Sequence, residues 1–362
     1  MFSCASDDDD GGGNMPPVVE PPVVEPPVEE TGVNVDLAAM PFDSLSTYRF
    51  FIGDDLAEME PNERMLAYAP ISTLFSDYAH KSRFVWMPEG TSASQGEDGR
   101  ILNFPDGTVI IKTFYFDNVL PANERRIIET RVLYLDAGDW KFAEYVWNDA
   151  QTEATLDLSG STTLVEFTNE EGDEQTVNYR LPAEAECLTC HKSGETAIPI
   201  GPKPQNLNAD YTYPDGSSGN QLMKWFEAGY LSQEPDLSAI TTVVPWDDPV
   251  HDLELRVRSY LDINCAHCHR EGGHCDYRDI RLAFSESGDA ENQGVCVNTQ
   301  EFIDGSQRFI ISPGRQERSA MFFRMNAIDE QFRMPLLGRT VQHTEGLELI
   351  STWISQLAGE CD

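Results

Sequence analysis

Two pentapeptides of one pattern carry the most pointed chemistry in the sequence: Cys187-Leu188-Thr189-Cys190-His191 and Cys265-Ala266-His267-Cys268-His269. Thiols three positions apart project from one side of a helical turn, and the imidazole that follows is a ready metal ligand. This is the spacing of covalent haem attachment: the thiols add to the two vinyl groups and the histidine reaches the iron. One tetrahedral zinc held by all four thiols is the nearest competitor. Zinc ribbons, however, keep their cysteine pairs about 15–20 residues apart. The gap from Cys190 to Cys265 is several times that, and a ribbon has no use for a histidine after each pair. Local disulfides or a thioredoxin-like motif form a third option, which lacks its βαβ context. The sequence therefore predicts two covalently attached haem c groups, bound at Cys187, Cys190, Cys265 and Cys268, with His191 and His269 on the irons.

A sixth ligand for the second iron is predicted at Met334, in Arg333-Met334-Pro335-Leu336-Leu337-Gly338. Proline ends a local helix and lets the methionine side chain reach inward from a loop. A thioether ligand raises the potential and suits an electron carrier. Met321 and Met325 flank Arg324 on a helical stretch and are expected to pack. No Met-Pro follows the first motif before the second begins. Its sixth position is left among Met223, His251, His80 and an open site, the last of which would admit small-molecule chemistry. Cys275 and Cys296 are expected to pair in an oxidising compartment, leaving Cys361 free or paired between chains. His267 is expected to turn away from His269, and His274 and His343 to be ordinary surface or core histidines.

The elements that must hold these residues change character along the chain. Thr108–Phe116, Ile127–Leu135, Trp140–Trp147, Thr155–Leu158, Thr162–Phe167 and Thr176–Leu181 are β-branched and aromatic runs divided by turn formers such as Pro105-Asp106-Gly107 and Asp136-Ala137-Gly138-Asp139. Downstream, Asp248-Pro249 starts a helix whose Leu253, Val257, Tyr260, Leu261 and Asn264 share a face and lead into Cys265. Leu347, Ile350, Ile354 and Leu357, with Trp353, predict a closing amphipathic helix that can cross it. The expected fold is an α+β multidomain chain. A disordered Pro/Asp-rich tether (1–34) precedes an antiparallel β-rich sandwich or barrel (35–182), followed by a mainly α-helical, cytochrome c-like haem domain (183–362).

Composition narrows the partners. Asp plus Glu number 62 against 25 Lys plus Arg, and the net charge of −37 repels phosphate backbones and anionic lipid headgroups. Nucleic acid is excluded as a partner on that ground. The field would steer basic redox partners toward the chain, and a charge of this size is equally a solubility device of an extracellular protein. No apolar stretch approaches the roughly 18 residues of a membrane span. A tether is another matter. Met1-Phe2-Ser3-Cys4-Ala5-Ser6 before Asp7–Asp10 resembles the junction of a bacterial lipoprotein signal with its mature sequence, which makes Cys4 a candidate lipid anchor. The repeat Pro-Pro-Val-Val-Glu, Pro-Pro-Val-Val-Glu, Pro-Pro-Val-Glu-Glu behind it reads as a semi-stiff polyproline II spacer.

Ile311-Ser312-Pro313-Gly314-Arg315-Gln316-Glu317-Arg318-Ser319, Arg324-Met325, Met334-Pro335 and Gly346–Leu357 resemble the second half of many bacterial cytochrome c domains. Phe42-Asp43-Ser44-Leu45, Leu74–Ala79, Phe104–Thr108 and Tyr260–Cys265 extend the resemblance to an uncharacterised family of bacterial two-site (diheme) c-type cytochromes with an N-terminal β-rich domain. The resemblance implies haem binding and electron transfer, and no substrate. The expected protein is an exported, periplasmic or cell-surface electron carrier. The alternative is a haem-dependent oxidoreductase such as a peroxidase, one of whose irons lacks a sixth ligand.

Overall fold

The turn-separated runs of β-branched and aromatic residues become strands. In the computed structural model, which describes residues 31–361 apart from 302 and 304, β1 (Phe51–Ile52) pairs with β2 (Glu60–Pro61) ahead of one eight-stranded antiparallel sheet. That sheet comprises β3 (Leu66–Ala67), β4 (His80–Trp86), β5 (Val109–Val119), β6 (Glu124–Asp136), β7 (Asp139–Trp147), β8 (Ala154–Leu156), β9 (Ser161–Thr168) and β10 (Glu174–Leu181). The order β10-β9-β5-β6-β7-β8 forms its main path, and β4 pairs with both β3 and β5. The β6–β7 hairpin closes on a two-residue turn in which Ala137 (φ 54°) and Gly138 (φ 83°) both take positive φ, as a twist-matched hairpin requires.

Alternation sorts the side chains onto two faces. On one, Val109, Ile111, Val132, Tyr134, Ala143 and Tyr145 are covered by Leu45, Tyr48, Phe50 and Met59 from the segment before the sheet. On the other, Val85, Ile110, Leu133 and Trp140 pack against Leu207, Leu222, Trp225, Tyr230 and Ile240, which lie beyond the first Cys-x-x-Cys-His motif. From Gly32 onward the chain is one compact unit, in which the sheet is a wall of the thiol-bearing half. Cys4 and residues 1–30 of the expected tether lie outside the described residues. Among the described residues no helix is long and apolar enough to cross a membrane.

Two parts of the expected fold are corrected. In place of the sandwich or barrel stands one eight-stranded sheet, preceded by the two-stranded β1–β2 pair. Among the described residues there is no mainly α-helical cytochrome c-like domain: the structure is 26% strand and 19% helix. Its helices are α1 (Glu184–Cys190), α2 (Pro204–Leu207), α3 (Gln221–Glu227), α4 (Leu253–Asn264), α5 (Ala320–Asn326) and α6 (Thr344–Gln356). The reason is local. Between α1 and α4 Gly and Pro recur every few residues, between α4 and α5 glycines punctuate the chain, and Gly194, Gly201, Gly216, Gly229, Gly272 and Gly294 all take positive φ. That backbone ends helices. Only α4 and α6 have uninterrupted helical periodicity. They pack through Val257, Leu261, Ile350 and Ile354, with Trp353 Nε1 donating to Glu254 Oε2 at 2.6 Å.

The expected Cys275–Cys296 bond is also corrected. Cys296 is bonded to Cys361 (Cα–Cα 5.2 Å), and Cys275 is a buried free thiol. After α6 the tail doubles back along 311–315, where Arg315 meets Glu360 at 3.1 Å, and this return brings Cys361 to Cys296.

Candidate functional site

The two motifs end different helices. The first is the last turn of α1, where Ala183 offers no capping oxygen and Glu186 instead accepts from the Ala183 backbone N–H at 3.0 Å. His191 follows as the C-cap, its N–H donating to the Cys187 carbonyl. The second motif is the turn after α4, in which the N–H groups of Cys268 and His269 both donate to the Cys265 carbonyl (3.1 and 3.0 Å). Asp252 caps the N-terminus of α4, accepting from Glu254 and Leu255.

Each motif opens into its own cavity. The sheet-side cavity, about 1310 Å³ counting space open to solvent, is lined by Cys187, Cys190, His191 and His267, and across from them by Arg83, Lys112, Arg131 and Phe142 of the sheet. The helix-side cavity, about 1090 Å³ on the same measure, is lined by Cys265, His269, Tyr260, Ile280, Leu282 and Met334 among others. Phe75, Asn264 and Pro335 line both and form the partition between them. Asn264 Oδ1 accepts from the Phe75 backbone N–H at 2.9 Å, and the Phe75 ring stacks on His343 at 4.0 Å, which fixes the partition.

Both cavities meet the demands of a metal-bearing planar group. Each offers an imidazole and at least one thiol among apolar and aromatic side chains. His191 Nδ1 lies 2.9 Å from the Ile198 carbonyl, the contact that fixes a ligating imidazole's tautomer and leaves Nε2 for a metal. His269 Nδ1 is buried without a hydrogen-bond partner among the described residues. Burial pushes both imidazoles down to about 4, so they are neutral donors at ordinary pH. Burial raises the thiols of Cys187 and Cys265 to about 11 and about 12.

Cys268 departs from the simple pattern. It does not line the helix-side cavity but a smaller one of about 390 Å³, shared with Cys190, Cys265, His269, Cys275 and Met334. There Cys190, His267 and Cys268 bring their ligand atoms within 4.8 Å of one another. The hydrogen bond between the two thiols holds Cys190 low and Cys268 high.

Met334 lines the helix-side cavity, as do Met321 and Met325, which also pack in the α4–α6 core. Of the three, Met334 alone lines the smaller cavity beside Cys268 and His269. None of Met223, His251 and His80 lines the sheet-side cavity. Met223 lies on α3, His251 is 3.9 Å from Asp248, and His80 stacks on Tyr115 and lies 3.9 Å from Asp117. The imidazole in that wall besides His191 is His267, which also lines the smaller cavity together with His269. Sequence reading missed the cations of the same wall. For two of them the signal was a charge inside an apolar strand run, at Lys112 and Arg131.

No family model, no curated protein and no solved structure matches the chain.

Proposed function

We propose that the protein is a c-type cytochrome that holds two haems covalently and passes electrons between redox partners. One observation carries this reading: Cys187, Cys190 and His191 line one cavity, Cys265 and His269 line its neighbour, and the two share Phe75, Asn264 and Pro335 as a partition. Each haem, when bound, would supply a one-electron iron couple. Cys187, Cys190, Cys265 and Cys268 would hold the two groups through thioether bonds, each formed by adding S–H across a vinyl group with one new C–S and one new C–H bond and no net oxidation. His191 and His269 would hold the irons, and Met334 would serve the second as a thioether ligand. The shared partition favours relay between the sites within one molecule. The charge of −37 favours basic partner proteins, and the Cys296–Cys361 bond favours an exported, oxidising location. A lipoprotein form depends on Cys4.

An open first iron would turn the protein into a haem-dependent oxidoreductase such as a peroxidase. The sheet-side wall has no thioether among the described residues, which favours that variant of the reading at the first site alone.

One further observation favours a different function. Cys190, His267 and Cys268 are within metal-binding reach of one another, and a structural zinc there would use both motifs without haem. Metal and haem analysis of protein made in a host with haem-attachment machinery separates the two. The cytochrome reading predicts two haem-bound irons per chain and no zinc. One zinc and no haem would replace it with the structural site.

A further inference from the structure

The sheet-side cavity has a wall that the attachment motif does not explain. In the antiparallel register Arg83 on β4 is opposite Lys112 on β5, Lys112 is opposite Arg131 on β6, and Arg131 is opposite Glu144 on β7. All four side chains line the cavity. Adjacent strands lie about 4.8 Å apart, so the row crosses ~14 Å of sheet. Three of its four members are cations. Like charges directly opposite one another destabilise a sheet, and cations drawn out of bulk water require a counter-charge.

The acids present do not supply enough. Arg131 is matched by Glu129, at 2.6 Å (Nη2–Oε1) and 2.9 Å (Nε–Oε2), and Glu129 Oε1 also accepts from the Tyr179 hydroxyl at 2.5 Å. Glu144 Oε2 lies 3.8 Å from Arg131 Nε, but burial, with Glu129 nearby, raises its carboxyl, and burial, with Arg83 and Lys81 nearby, holds the Lys112 ammonium well below its usual range, so the row lacks counter-charge. Arg83 donates to the Lys81 carbonyl at 3.4 Å, and Lys112 lies over the Phe114 ring at 4.7 Å. Among the described residues neither has a carboxylate within 4.0 Å. Lys81 adds a further cation on the same face, two residues from Arg83.

We infer that Arg83 and Lys112, backed by Arg131, are the seat for the carboxylates of the group attached at Cys187 and Cys190, an inference that rests on the haem reading. The chemistry of a haem gives the direction. Its vinyl groups and its propionates lie on opposite edges, so fixing one edge on the cysteines sends the carboxylates across the cavity. The Phe142 ring, on the same strand as Glu144, packs against the His191 ring at 4.8 Å, which puts the motif at the Glu144 end of the row. Lys112 and Arg83 continue the row away from it. Two carboxylates there match the two cations that lack a partner. The sheet thereby becomes part of the binding site and not only a scaffold.

The same cations could hold a free anion, and the test separates the sources. Intact mass first establishes whether the wild type carries two haems; a chain without haem removes the haem reading and this inference with it. Given two haems, Arg83→Gln and Lys112→Gln are compared with the wild type and with Lys112→Arg, which keeps the charge. The readouts are a redox titration resolving the two sites and the propionate bending bands in resonance Raman spectra. The expected result is a lower midpoint potential and shifted propionate bands at the His191 site in both Gln variants. The His269 site should be unmoved and Lys112→Arg close to wild type. Unchanged propionate bands in both Gln variants would overturn the inference. So would a wild-type His191 site whose potential follows added sodium acetate and loses that response in Lys112→Gln, which would assign the row to a free anion.

Discussion

At the scale of residues the assignment turns on what each side chain near an iron position can reach. Met334, Met321 and Met325 all face the helix-side cavity, but only Met334 also borders the small cavity with Cys268 and His269. Met334→Ala should therefore abolish the near-infrared band of Met-to-iron ligation and lower the potential of that site, because a thioether favours reduced iron. Met321→Leu and Met325→Leu should keep the band. A band that survives Met334→Ala and vanishes in either Leu variant would move the ligand to α5. The grouping of each set of thiols and imidazole on one turn was legible in the sequence, since i, i+3 and i+4 positions meet there. The meeting of Cys190 with Cys268 was not legible. It brings together residues far apart in the chain, and no local pattern encodes it. The Arg83–Lys112–Arg131 row was hidden for a related reason: each charge is visible in its strand, while their alignment depends on a register that joins three strands.

At the scale of elements the loop carrying Met334 is held by one buried arginine. Arg339 donates to four carbonyls, those of Met334 (3.0 Å), Val341 (3.1 Å), Arg324 (3.1 Å) and Ala327 (2.7 Å). Asp77 grips the same loop, accepting from the N–H groups of Thr340 (2.6 Å) and Val341 (3.0 Å). Each buried acceptor left without a donor costs about 1–3 kcal/mol. Arg339→Met should lower stability by about 2–4 kcal/mol in urea unfolding, once partial rehydration is allowed for. It should also reduce the Met-ligation band at unchanged haem content, and that second readout distinguishes positioning of Met334 from general loosening. Strands were the more legible elements here, because β-branched runs ending at Asp-Gly and Ser-Gly turns specify both their type and their limits. Helical content was overread downstream. The periodicity of α4 and α6 extends for about three turns each, and the Gly- and Pro-rich segments around them take loop conformations held by backbone hydrogen bonds such as Leu282 N–H to the His269 carbonyl at 3.0 Å.

At the scale of the whole molecule a single long crosslink closes the thiol-bearing half. Cys296 and Cys361 are 65 residues apart, and a loop of that length is worth about 4 kcal/mol in the chain-entropy treatment of disulfides. Cys361→Ser should lower the thermal midpoint by several degrees, measured by calorimetry under oxidising conditions, while Cys275→Ser should leave it nearly unchanged. A larger fall for Cys275→Ser would restore the other pairing. The partner of Cys296 was not legible, because cysteine count fixes that pairs exist and not which ones form. The account as a whole rests on each cavity holding its own covalent haem. Its most direct test is the intact mass of the protein from a haem-attaching host, compared with Cys187→Ser/Cys190→Ser and Cys265→Ser/Cys268→Ser. The prediction is two added haem masses for the wild type and one for each double variant. No added mass in the wild type, or the same count in all three, would contradict it.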